Sequence, residues 1–171
     1  PEGYRLFYSR FSSERSGWPN PTNWAIACAT TKDFVHFEQD HDVSPKGFAS
    51  PGDVVQWHGR WLLPYQSYPA PPVRLCFAES TDLNHWSAPK FILEEAAHLP
   101  WNNQTRVIDP TFVVDGDALH CYFICTEVLT NSSGVQTNRA NLMGHAITRD
   151  PKLARWAILT RSAPLIGRSE R

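Results

Sequence analysis

Ala29-Thr30-Thr31-Lys32-Asp33-Phe34-Val35-His36-Phe37 returns as Ala78-Glu79-Ser80-Thr81-Asp82-Leu83-Asn84-His85-Trp86. It comes a third time, two residues longer, as Ala146-Ile147-Thr148-Arg149-Asp150-Pro151-Lys152-Leu153-Ala154-Arg155-Trp156. Each copy reads as a strand, a tight polar turn and an aromatic residue that opens the next strand. Upstream of each lies an aromatic-rich strand: Tyr4 to Ser9, Arg60 to Tyr68, and Ala118 to Cys125. Upstream of the second and third copies there is one more, Asp53 to Trp57 and Thr111 to Val114, each preceded by a proline, Pro51 or Pro110. The unit is four short strands.

Asp33, Asp82 and Asp150 are 49 and then 68 residues apart, which suits four-stranded propeller blades of roughly 40 to 50 residues with loop insertions. The strands alternate and are rich in Val, Tyr, Phe and Trp, with no sustained 3.6-residue period, so the fold class is all-β. A β-sandwich with coincidental turns is the alternative, and three aligned copies weigh against it. The expectation is one domain over residues 1–171, made of antiparallel four-stranded blades at 4–46, 47–97 and 105–167. Blade one supplies three strands, so the chain makes about two and three-quarter blades, where closed propellers have roughly 4 to 8.

Loop lengths assign the two faces. The turns near Gly59 and Gly116, and those at Asp33, Asp82 and Asp150, are short and share one face. The long connections, Phe11 to Asn23, Val43 to Gly52, Glu94 to Asp109 and Thr130 to Arg139, emerge on the other. Long loops on a rigid scaffold are where binding concentrates. The Ser50 to Asp53 and Asp109 regions, which begin the innermost strands, are expected to look into a central pocket on that face.

Composition removes several function classes. With 16 basic and 17 acidic residues, a formal net charge of -1 and no basic block, nothing would neutralise a run of phosphates or hold an anionic membrane, so neither nucleic acid nor a membrane is an expected partner. Cys28, Cys76, Cys121 and Cys125 lack CxxC spacing and His partners at zinc-site intervals, so neither a metal site nor another cofactor is expected. Sequons at Asn103 and Asn131 matter only in a eukaryotic secretory pathway, and the compartment is not readable.

Phe48-Ala49-Ser50-Pro51-Gly52-Asp53-Val54-Val55-Gln56-Trp57-His58-Gly59-Arg60-Trp61 resembles the second-blade opening of the five-bladed propeller glycosidases, especially glycoside hydrolase families 43 and 32. Val107-Ile108-Asp109-Pro110-Thr111-Phe112 resembles their third-blade Asp-Pro motif, and the turn at 81–86 recurs throughout them. The resemblance covers nearly the whole chain. It implies hydrolysis of furanose- or xylose-containing polymers of arabinan, xylan or fructan type. It also implies three carboxylates: a blade-one base or nucleophile, a blade-three Asp that tunes acidity or steadies the transition state, and a blade-four acid. Only Asp109 falls on one of those positions; blade two carries Ser50 at the equivalent place. Glycoside hydrolysis needs two carboxyl groups roughly 5 to 9.5 Å apart, so the chain alone is expected to show little hydrolysis. A non-catalytic carbohydrate-binding propeller is the rival reading, and a purely structural interaction propeller is a third.

Around Asp109, the residues expected to bind substrate are Asp53, Gln66, Trp101, Arg106, Glu127 and His145. Gln66, Arg106 and His145 are hydrogen-bond donors for sugar hydroxyls, Glu127 is a further pocket carboxylate, and Trp101, like Trp18, is a loop indole suited to stacking on a sugar ring. Each has a structural reading beside it: a turn-forming Asp109, a solvated Glu127, a Trp101 packed on the scaffold, a satisfied His145. Asp33, Asp82 and Asp150 are expected to be structural turn residues, and His36, His85, Phe37, Trp86 and Trp156 to pack between blades, because a contact between blades recurs while a reactive group is needed once. A second copy of the chain, or the remainder of a longer propeller, is expected to cover the open edge of blade one and the flank of blade three, with Ala163 to Gly167 available to complete a partner's first blade.

Overall fold

The computed structural model describes residues 3–11, 23–68 and 72–167. They form three antiparallel sheets in chain order. The first contains β1 (Tyr4–Phe11), β2 (Trp24–Thr31) and β3 (Phe37–Asp42). The second runs β4-β6-β7-β8, from β4 (Phe48–Ala49), β6 (Arg60–Ser67), β7 (Leu75–Ser80) and β8 (Lys90–Phe91), with β5 (Val55–Trp57) also paired to β6. The third contains β9 (Val107–Asp115), β10 (Ala118–Thr130), β11 (Gln136–Thr148) and β12 (Ala157–Ile158), and a short 3₁₀ helix, Glu94–His98, lies between the second and third sheets.

Register puts the three sheets on a common frame. Tyr4 pairs with Thr31, Trp61 with Ser80 and Leu119 with Thr148. The tight turns that follow Thr31, Ser80 and Thr148 therefore leave from the same end as the Gly59 and Gly116 turns. Phe11 pairs with Trp24, Gln66 with Leu75 and Thr130 with Gln136 at the opposite end, where the longer connections leave.

The repeated motif is a hydrogen-bonded turn. Thr31 Oγ1 accepts the N–H groups of Asp33 and Phe34, and Ser80 Oγ accepts those of Asp82 and Leu83. Asp33 Oδ1 then accepts from Val35 and His36, and Asp82 Oδ1 from Asn84 and His85. Phe34, Leu83 and Leu153, one per copy, take positive φ of 60°, 63° and 57°. These short polar side chains supply the backbone acceptors that the turn lacks, so the left-handed residue is tolerated without glycine.

Trp86 packs between sheets as expected, meeting Phe7 edge-on at 5.5 Å; Trp156 stacks at 5.9 Å on Phe112 of its own sheet, at the edge of the apolar layer shared with the second sheet. His36, His85 and Phe37 do not pack between sheets. The imidazoles are turned back onto their own turns, with His36 Nδ1 2.8 Å from Asp33 Oδ2 and His85 Nδ1 2.7 Å from Asp82 Oδ2, and Phe37 is exposed. Local charge-assisted hydrogen bonding outcompetes packing there. The His36 contact, with backbone N–H groups behind it, lowers the Asp33 pKa to about 2, and the corresponding His85 contact lowers that of Asp82 further. A carboxylate depressed in the folded state adds stability above its unfolded pKa of about 4, and that stability is lost as pH falls through the folded value. The melting temperature should fall as pH drops from about 4 towards 2, and Asp33→Asn with Asp82→Asn should flatten that fall; an unchanged acid limb in differential scanning calorimetry would remove these turns as its source.

The sheets pack face to face through two apolar layers. Ile26, Leu63, Tyr65, Cys76 and Ala78, flanked by Phe7, Phe48 and Trp86, join the first sheet to the second. Leu62, Phe77, Phe112, Leu119, Phe123 and neighbours join the second to the third. All four cysteines are buried, and burial pushes the Cys125 thiol up to about 12 and the Cys76 and Cys121 thiols higher still, which fits small packed hydrophobes rather than nucleophiles. Ala163 to Gly167 does not project as a free strand. Leu165 N–H donates to Met143 O at 2.7 Å and Met143 N–H to Ile166 O at 3.1 Å, so the segment pairs along its own sheet.

Candidate functional site

The inner strands of the second and third sheets are interrupted in the same way. In the third sheet, β9 begins four residues earlier than its β pattern suggested, at Val107. Ile108 pairs with Ile124 and Thr111 with Tyr122, so Asp109 and Pro110 form a bulge opposite Phe123. In the second sheet the strand is split, with Ala49 paired to Gln66 and Val55 to Leu62, and Ser50 to Val54 between them. Ser50 and Asp109 occupy equivalent positions: each follows an apolar pair, each precedes a proline, and each has positive φ, 56° and 50°. Non-glycine residues in this region are strained, and a following proline restricts them further.

The two interruptions lie against each other. A Cβ on Gly52 would come within 2.0 Å of the Pro110 carbonyl oxygen, so only glycine permits this approach. Thr111 Oγ1 donates to Asp53 Oδ2 at 3.3 Å, joining β9, two residues beyond Asp109, to the interruption in the second sheet. The Asp109 side chain is exposed, its backbone N–H donates to Gln66 Oε1 at 2.6 Å, and Pro110 behind it is buried. Asp53 is exposed, but the cleft of about 390 Å³ that it lines is shared with Arg5, Phe7, Trp61 and Leu83, towards the tight-turn end of the first two sheets rather than on the expected long-connection face.

The remaining candidates divide. Arg106 is half-buried one residue before β9, and its Nε is buried without a partner among the described residues. Glu127 is half-buried towards the long-connection end of β10, opposite Ala140. Beside it, Asn103 uses both ends of its amide on Val128, donating to its carbonyl at 2.7 Å and accepting its N–H at 2.8 Å. That pairing ties the 99–106 connection to β10 and engages the sequon side chain in structure. Gln66 is 3% exposed, and its oxygen holds the Asp109 amide rather than facing solvent.

Two expectations are corrected. Trp101 is 7% exposed and its Nε1–H donates to the Thr160 carbonyl at 2.8 Å, so the indole belongs to the core between sheets and offers no face to a sugar. An indole with a backbone acceptor in reach gains more from burial than from a loop position. His145 lies on the wrong side of its strand. Leu142, Ala146, Cys121 and Phe123 face the second sheet, and by strand alternation His145, His120 and Tyr122 share the opposite flank. There His145 stacks on Tyr122 with centroids 4.4 Å apart and its Nε2 is 2.9 Å from His120 Nδ1; burial, with His120 alongside, pushes its pKa down. Trp18 lies outside the described residues.

The comparisons with known proteins bear on this arrangement. No family model matches the chain, and no curated protein matches it. Among solved structures it is similar to a family 117 glycoside hydrolase of the marine bacterium Zobellia galactanivorans, at 18% identity and a TM-score of 0.56 over 79% of this chain. It is similar to a GH32 β-fructofuranosidase of Bombyx mori at 15% identity and 0.55 over 94%, and to an α-L-arabinofuranosidase of Podospora anserina at 12% and 0.53 over 96%. The chain has the fold of the β-propeller glycoside hydrolases. It spans 41%, 32% and 66% of the lengths of those three chains. The three sheets are thus consecutive propeller blades, and the bulges at Ser50 and Asp109 lie on their inner strands.

Proposed function

We propose that the chain is a glycoside hydrolase-like propeller acting on furanose- or xylose-containing oligo- and polysaccharides of the arabinan, xylan or fructan type, with Asp109 as the carboxylate that tunes acidity or steadies the transition state. The observation that carries the reading is Asp109 itself: an exposed carboxylate on a strained, left-handed, pre-proline residue of an inner strand, with its amide anchored by a buried side chain. Strain of this kind clusters at functional sites and persists where the surroundings over-determine it. Two of the similar structures are by their names a β-fructofuranosidase and an α-L-arabinofuranosidase, which supports a furanose substrate.

A second reading, a carbohydrate-binding propeller without acid and base, is favoured by Ser50. The equivalent position one blade earlier presents a hydroxyl, and the nearby Asp53 is engaged by Thr111. Both readings place the sugar at the Asp109 bulge. Titration with arabino-, xylo- and fructo-oligosaccharides, followed by amide NMR, should perturb Ser50, Asp53, Arg106 and Asp109 together. Perturbation confined to the Asp33, Asp82 and Asp150 turns, or none with any of the three sugars, would exclude both.

A further inference from the structure

We infer that Gln66 is the positioning residue for Asp109, one of two clamps that the first and second blades each extend to the blade that follows. The inference rests on the reading of Asp109 above for its functional meaning, but its structural basis is independent of it. The bulge takes Asp109 out of the β9–β10 ladder, so its N–H has no strand partner opposite Phe123. Gln66 supplies the acceptor from the neighbouring blade, across 43 residues of sequence, through an oxygen 2.6 Å away on a side chain that is 3% exposed.

The same device appears one blade earlier. Ser50 N–H donates to Ser9 Oγ at 2.9 Å. Ser9 is five residues beyond Tyr4, which pairs with Thr31, and Gln66 is five beyond Trp61, which pairs with Ser80. The two acceptors thus occupy one position in successive blades, and the two amides they hold belong to the two left-handed, pre-proline residues. The repetition separates the clamp from a chance contact. The corresponding residue of the third blade, paired with Met143, is Ile124, which offers no acceptor.

The clamp acts through the backbone. With φ at 50°, the Cα–Cβ bond of Asp109 points away from the direction an extended residue would give it, and the carboxylate stays exposed while Pro110 is buried. Without the acceptor, extended φ is the lower-energy choice, and that rotation would carry the carboxylate off its present line. Gln66 serves this purpose better than a charged acceptor would, because its oxygen accepts the N–H without placing a second negative charge beside Asp109.

The test is amide NMR on the full chain. Gln66→Met, of similar reach and without an oxygen, should speed exchange of the Asp109 amide about fivefold or more, as expected for loss of one hydrogen bond, and should shift the HN–Hα coupling that reports φ. Gln66→Glu, which restores an oxygen at the same reach, should recover both in the folded protein while lowering its melting temperature, because it buries a carboxyl group beside Asp109. Ser9→Ala should produce the same changes at Ser50 and none at Asp109. If Gln66→Met does not fold, Gln66→Leu provides the same comparison. An Asp109 amide whose exchange and coupling are unchanged in the folded variant would overturn the inference. Release of the Asp109 amide in a chain whose sugar response does not depend on Asp109 would leave the clamp standing and remove the functional reading instead.

Discussion

Gly52→Ala should be among the most damaging single substitutions in this chain, lowering stability by about 3 kcal/mol or preventing folding. The added Cβ would stand 2.0 Å from the Pro110 carbonyl oxygen, 3.0 Å from its carbonyl carbon and 3.1 Å from Pro64 Cγ. Two of the three obstacles are backbone atoms, which have no rotamer to change. Gly52 cannot retreat either, because its own N–H donates to the Pro64 carbonyl at 2.8 Å. Relief requires the inner strands of two blades to separate, which would also weaken the Thr111–Asp53 contact. For a chain of this length about 3 kcal/mol corresponds to a melting shift of roughly 6 to 12 °C. Gly59→Ala is the control, since that turn has open space around the new methyl and only a positive φ of 75° to penalise it, at about 1 kcal/mol. A Gly52→Ala protein that melts within a degree or two of the parent would mean that the two inner strands do not touch here.

What was legible in the sequence, and what was not, follows from the range of the interactions. The Thr31-Lys32-Asp33 and Ser80-Thr81-Asp82 turns satisfy themselves within six residues, so their spacing alone identifies them and their number gives the blades. Asp109 was found because the Ile108-Asp109-Pro110 motif is local as well. Its equivalence with Ser50 was also readable, since each precedes a proline after an apolar pair. The fate of Trp101 was not readable, because the acceptor that draws it inward is the Thr160 carbonyl, 59 residues away. His145 depended on a choice of strand face: Gly144 beside it lies under the Phe123 ring, where a Cβ would come within 2.2 Å, and this sets glycine inward and histidine outward. Gln66 reads in the sequence as a donor for sugar hydroxyls, but what it engages is a backbone N–H, accepted by its side-chain oxygen and released only by a bulge that periodicity does not reveal. Sequence pattern reports which residues are unusual; contacts between blades decide what they do.

Asp109→Asn should separate the two proposed functions. Asn is, with Asp, among the non-glycine residues best tolerated at positive φ, and the clamp from Gln66 is made to the backbone amide, which the substitution leaves in place. The residue is exposed, so the melting temperature should move by no more than a degree or two, in line with surface substitutions. If the carboxylate stabilises charge that develops at the sugar during bond cleavage, its loss should lower kcat by about 10²- to 10³-fold in any preparation of this propeller that hydrolyses an aryl arabinoside, xyloside or a fructan, with a much smaller change in KM. If the propeller only binds sugar, parent and variant alike will show no turnover, and the variant will retain the oligosaccharide response at Ser50 and Arg106 with affinity changed by less than about tenfold, the scale of one hydrogen bond. A turnover that is present in the parent and unaffected by Asp109→Asn would remove Asp109 from the chemistry. It would direct attention to Asp53 and Glu127, the other carboxylates among the candidate residues.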